Sequence, residues 1–156
     1  MKAKSSDQEL LALLKHNARM SSTEIAERLA TAPAKVNAAI ARLESEGKLL
    51  GYTAVTADGA QPDEVRAIIE VQVQPERENG FNNVARQLAR FDEVVSAYLV
   101  SGRYDLHLEV VGHSLQEVAH FVASKLSTQN GVKSCATLFL LKKYKEAGIE
   151  LDKEEK

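Results

Sequence analysis

The feature that most constrains this chain is a rhythm over residues 65–144, where strand-like and helix-like runs alternate and almost no long loop intervenes. "VRAIIEVQV" reads as a strand, "NGFNNVARQLARF" as a helix, "EVVSAYLV" and "YDLHLEVVG" as strands, "SLQEVAHFVASKLS" as a helix and "VKSCATLFLLKKY" as a last strand. The order βαββαβ predicts a ferredoxin-like sandwich, with two helices on one face of an antiparallel sheet. Ile69, Val71 and Val73 on the first strand and Leu106, Leu108 and Val110 on the third supply the apolar face. Val118, Phe121, Val122 and Leu126 recur at helical spacing to cover it. Glu70, Gln72, His107 and Glu109 fall on the other face, which suits solvent or a sheet-to-sheet contact with a second copy.

The N-terminal third follows a different period. Asp7 is placed to cap a helix from Gln8 to about Asn17 carrying Leu10, Leu11, Leu13 and Leu14. Ser21 and Glu24 form a capping box for a second helix through Ile25, Ala26 and Leu29. "TAP" makes the turn, and Pro33 opens a third helix whose core stripe is Val36, Ile40 and Leu43, with Gly47 as its stop. With "KLLGYTAVTA" read as a short extended hairpin, the order is a winged helix-turn-helix. The α+β chain thus divides into a winged helix-turn-helix at 1–56, a connector at 57–64, the sandwich at 65–147 and a charged tail at 148–156.

The core stripe of the third helix leaves Ala34, Lys35, Asn37, Ala38, Ala41 and Arg42 facing outward. Small residues let a helix lie deep in a major groove, Asn37 suits an adenine edge, and Lys35 and Arg42 suit guanine or phosphate. Ser22 and Thr23 complete the expected DNA-contacting set. The competing reading is a packed helix-turn-helix that no longer touches DNA, since alanine also fills undemanding helix surfaces. Charge favours contact weakly: residues 1–60 hold eight Lys/Arg against seven Asp/Glu in a chain of net charge −2.

Other functions find little support. No apolar run approaches the ~20 residues of a membrane span, and "MKAKSSDQE" does not enter a signal core, so a cytoplasmic protein with no membrane partner is expected. The one cysteine, Cys135, sits in an apolar run as a small packing residue. His16, His107, His113 and His120 show no metal-ligand spacing, and no P-loop, GxGxxG or nucleophile triad occurs. Neither cofactor, metal nor catalytic residue is expected.

The order of parts resembles the Lrp/AsnC (feast/famine) family of prokaryotic transcription regulators from Asp7 to about Gly148. "IARLESEGKLLGY", "VSGRYDLHLEVVG" and the ending "LFLLKKYKEAG", similar to a short-tailed subgroup, carry the resemblance. It implies a sandwich of the effector-sensing (RAM) type, homodimers made by apposing sheets and often built into octamers, binding to double-stranded operator DNA, and modulation by an amino acid or related small molecule. Many members carry several arginines on the recognition helix where this chain has Ala38, Ala39 and Ala41, and a serine cap where it has Ala32.

The resemblance places effector contacts in the loop Ser101, Gly102, Arg103, Tyr104 and Asp105. Gly102 would bare backbone N–H groups for a carboxylate, Asp105 would face an ammonium, and Ser101 and Tyr104 would add hydroxyls. A plain hairpin, with Gly102 at positive φ and Asp105 in an Asx hydrogen bond, is the alternative. Two rival functions remain: a sensing or assembly module without DNA binding, and an enzyme like the siroheme decarboxylases. The latter tend to show a histidine and a Tyr-Asn-Leu-Trp pattern at this loop, whereas this chain has Arg103, Tyr104 and Asp105 and no tryptophan.

Overall fold

The computed structural model describes residues 6–57, 64–75 and 80–151. The chain divides into two compact units: one runs to Thr56 and takes in Lys145–Glu150, the other comprises Ala57–Tyr144 with Leu151. Most of the expected connector, and the tail beyond Leu151, lie outside the described residues.

The first unit holds α1 (Ser6–His16), α2 (Ser22–Arg28) and α3 (Pro33–Ser45). Leu10, Leu14, Ile25, Ala26, Val36 and Leu43 form its buried core, with Leu11, Leu13, Leu29 and Ile40 packed at the margin. The capping box is present: Glu24 N donates to Ser21 Oγ at 3.2 Å, and Ser21 N donates to Glu24 Oε2 at 2.8 Å. Asp7, expected as a cap, lies instead inside the first turn of α1, and its carboxylate accepts from Arg42 on α3. Ala32 stands at the N-cap of α3 without a side-chain hydrogen bond, and Pro33 follows where no N–H is needed. α3 ends in a Schellman arrangement, in which Lys48 N reaches Leu43 O, Gly47 N reaches Glu44 O and Gly47 takes φ +65°.

The hairpin expected over residues 48–57 is not formed, for that segment pairs with no strand. It lacks a two-residue turn of the Asn-Gly kind, and Tyr52 turns back to donate to Glu44 Oε1 on α3 at 2.9 Å. The two-stranded ladder of this unit is made by β5 (Lys145–Glu146) and β6 (Ile149–Glu150). Ala147 and Gly148 join them, both at positive φ as a tight two-residue loop requires. Residues that read as the end of the sandwich and the start of a frayed tail are therefore ordered chain.

The second unit is β1 (Val65–Val73), α4 (Asn82–Leu88), β2 (Val94–Leu99), β3 (Leu106–Gly112), α5 (Leu115–Phe121) and β4 (Val132–Phe139). The sheet order β2-β3-β1-β4, antiparallel throughout, is that of the expected sandwich. Ile69 lies opposite Leu108 and Thr137, so the odd-numbered residues of β1 meet Val84, Leu88, Val118, Phe121 and Leu126 in one core. α5 passes into a π-helical turn, Val122–Leu126, closed by Ser127 N to Val122 O at 2.8 Å. Ser124 Oγ donates to His120 O beside it, a back-bond of the kind that perturbs helix geometry. β4 stops at Phe139, short of the expected Tyr144.

Candidate nucleic-acid interface and ligand cavity

In the first unit the burial of Val36 and Leu43 turns the opposite side of α3 to solvent. Ala34, Lys35, Asn37, Ala38, Ala41 and Arg42 are all exposed there, as is Thr23 at the start of α2, while Ser22 is half-buried. By helical geometry Ala34, Ala38 and Ala41 form the outermost line, with Asn37 on one flank and Lys35 and Arg42 on the other. This surface is low in relief, able to approach a groove closely, and flanked by amide and ammonium groups.

Arg42 stands apart. Its Nη2 donates to Asp7 Oδ1 at 2.7 Å, and its Nη1 reaches both carboxylate oxygens of Glu46 at 3.2 and 3.3 Å. Lys48 Nζ lies 2.7 Å from Glu46 Oε2, which completes a chain of four charges. The Glu46 and Asp7 contacts push the guanidinium further above its usual range, and Lys48 followed by Arg42 holds the Glu46 carboxyl below its own. A guanidinium expected to face DNA is thus paired within its own unit.

In the second unit residues 100–105 close the connection between β2 and β3. Val100 N donates to Asp105 O at 2.9 Å, Asp105 N to Val71 O at 3.0 Å, and Val73 N to Asp105 Oδ2 at 2.9 Å. The Asp105 carboxylate therefore ties the loop to β1 by a long-range bond to Val73, not by the local Asx hydrogen bond of the hairpin alternative, and it is not among the residues lining the cavity above the sheet. Gly102 likewise departs from expectation: its φ is not positive, and a Cβ there would meet open space.

That cavity has a volume of about 490 Å³, and Ser101, Gly102, Arg103 and Tyr104 form one wall. Glu70 and His107, cross-strand neighbours on the outer face of the sheet, also line it, and Val100 adds apolar surface. The Arg103 guanidinium sits 5.7 Å from the centre of the Tyr104 ring. Glu109, on the same face, is occupied by Arg66 at 2.9 Å and Ser96 at 3.3 Å. The loop motif alone misses Glu70 and His107. The strand register, which puts them on one face beside the loop, is the signal that finds them.

Residues 66–149 match the family model described as Lrp/AsnC ligand binding domain, and residues 5–49 match winged helix-turn-helix DNA-binding. The chain is 40% identical over 152 residues to the HTH-type transcriptional regulator YugG of Bacillus subtilis, itself uncharacterised, covering 95% of this chain and 90% of that one. It is 25% identical over 132 residues to the regulatory protein AsnC of Haemophilus influenzae, covering 85% and 87% of the two. Among solved structures it is similar to a transcriptional regulator of Neisseria meningitidis in complex with L-Met, with TM-score 0.69, 25% identity and 96% and 97% coverage. The leucine response regulatory protein of Mycobacterium tuberculosis shares the fold, with TM-score 0.75, 20% identity and 96% and 99% coverage. A helix-turn-helix with an exposed third helix, an antiparallel βαββαβ sheet with a cavity at its loop, and these matches together place the chain in the Lrp/AsnC family of DNA-binding transcriptional regulators.

Proposed function

We propose that this regulator works in the cytoplasm as a homodimer or larger ring, up to an octamer, which binds operator DNA and responds to an amino acid held at the Ser101–Tyr104 loop. The observation that carries the reading is the cavity, whose lining pairs a carboxylate with a guanidinium beside apolar surface. A zwitterion needs those two charges, and Glu70 takes the role for the ammonium that the sequence suggests for Asp105. Arg103 and the loop amides serve the carboxylate, and Val100 serves a side chain. The L-Met bound by the Neisseria regulator supports an amino acid as the ligand class. Apposed sheets from two copies would bring Tyr98 and Leu138, both about half exposed, out of water, and would place two copies of α3 on one duplex. On that duplex Lys35 and Asn37 would meet the groove and its rim, joined by Ser22 and Thr23 at the start of α2.

Calorimetric titration with single L-amino acids tests the ligand. At least one should bind more tightly than millimolar, and Glu70→Gln should weaken it about tenfold, as loss of a charged hydrogen bond does. Light scattering should give a dimer or larger, and a mobility shift on the DNA upstream of the protein's own gene should change with that amino acid. A monomer overturns the oligomeric reading, and a wild type indifferent to every amino acid at millimolar concentration overturns the effector reading. A ligand-binding oligomer that leaves every duplex unshifted is a sensing module without DNA binding.

A further inference from the structure

We propose that Arg42 is a positioning residue for DNA binding and not a DNA contact: clamped between Asp7 on α1 and Glu46 on α3, it sets the angle at which α3 is presented. The inference rests on the DNA-binding reading of α3. Its geometry is specific, because Asp7 and Arg42 are 35 residues apart in sequence and their 2.7 Å contact joins the first helix to the third. Leu10 and Leu14 of α1 and Val36 and Leu43 of α3 share one apolar cluster with Ile25 and Ala26 of α2, which holds the helices together but resists rotation only weakly. A directional bond between charged groups supplies the missing constraint.

The electrostatics argue the same way. Asp7, Arg42, Glu46 and Lys48 cancel as a group. A phosphate drawn to Arg42 would have to displace two carboxylates and then lie beside them. The outermost line of α3 runs through Ala34, Ala38 and Ala41, so Arg42 stands on the flank, where its side chain can turn toward α1. Both partners are part-exposed, at 43% and 34%, which makes the brace individually weak, within the two- to fivefold range of exposed ion pairs.

The test is fluorescence anisotropy with a duplex from upstream of the protein's own gene, and with a mixed-sequence duplex, in roughly 50 to 200 mM salt. Full-length wild type, Asp7→Asn, Arg42→Ala and the exchange Asp7→Arg with Arg42→Asp are compared, each shown fully folded by circular dichroism. A brace predicts that Asp7→Asn and Arg42→Ala weaken binding about equally, two- to fivefold, with the salt slope of wild type, and that the exchange recovers at least half of the loss. A phosphate contact predicts a slope lower by about one charge in Arg42→Ala and unchanged or tighter binding in Asp7→Asn, and that result overturns the proposal. A role in stability alone leaves the affinity of all the folded variants at the wild-type value, which also overturns it. Wild type that binds neither duplex removes the DNA-binding reading itself, and the positioning role with it.

Discussion

The two units of this molecule are held together by different means. Among the described residues the sheet unit buries twelve apolar residues in one cluster and the helical unit six. A core that small supplies only a few kcal/mol, so the local devices around it carry a larger share. Those devices are visible in the capping box of α2, the Schellman end of α3 and the Asp7–Arg42–Glu46 chain. The unit that must present a surface to DNA therefore depends on single hydrogen bonds, whereas the unit that carries the cavity depends on bulk packing.

The strongest test of this contrast deletes one fully buried leucine from each core. Leu108→Ala and Leu43→Ala should each cost about 2 to 5 kcal/mol. In scanning calorimetry Leu43→Ala should split off and lower a small early transition, with loss of DNA binding. Leu108→Ala should lower the main transition. A single transition shifted equally by both variants would mean the units are not energetically distinct.

Gly131, at the start of β4, sharpens the comparison within the sheet unit. Its φ is +87°, and a Cβ would lie 2.7 Å from Val84 Cγ2, a side chain of the core. Gly80 also has positive φ, at +56°, but has free space around it. Gly131→Ala should cost about 2 to 4 kcal/mol and Gly80→Ala about 1, the difference being the clash. Equal melting temperatures for the two variants would show that the core yields to the extra methyl.

The smallest effect belongs to the helical unit. Ser21→Ala should lower its stability by about 1 kcal/mol, a larger fraction of the total there than in the sheet unit. Glu24 adds a pH dependence whose sign is fixed: its carboxyl lies below the ordinary value of 4.5, chiefly through the Ser21 hydroxyl. Its contribution is complete above that value and is lost as the pH falls through the lower folded one. Melts on the acid side should therefore show the wild-type advantage over Ser21→Ala shrinking, and an advantage that persists unchanged would assign the cap to the hydroxyl alone.

What the sequence discloses follows the same division of causes. Periodicity reports which face is buried, so the sheet order, the core of β1 and β3 and the three helices are legible from residue spacing. Local caps of standard chemistry, Ser21 with Glu24 and Pro33, are legible too. Long-range polar partners are not, because nothing in the spacing around Arg42 points to Asp7, and nothing in "SGRYD" points to Val73 as the partner of Asp105. The β5–β6 loop escapes for a related reason: Ala147 occupies a left-handed position that asparagine would have advertised. Glu70 and His107 are an intermediate case, visible as members of a polar face but joined to the loop only by the register of β1 and β3.

That late hairpin makes the helical unit discontinuous in sequence. The segment up to Thr56 leaves the ribosome before the sheet, yet Lys145–Glu150, which groups with it, is made only after all four strands of the sheet unit. At about 5 to 20 residues per second the interval is on the order of 5 to 20 s, long compared with the folding of either unit. The helical unit is thus completed last, after the sheet of the other unit has had time to form. A nascent chain stalled before the hairpin would carry a finished sheet and a helical unit that lacks only its two-stranded ladder.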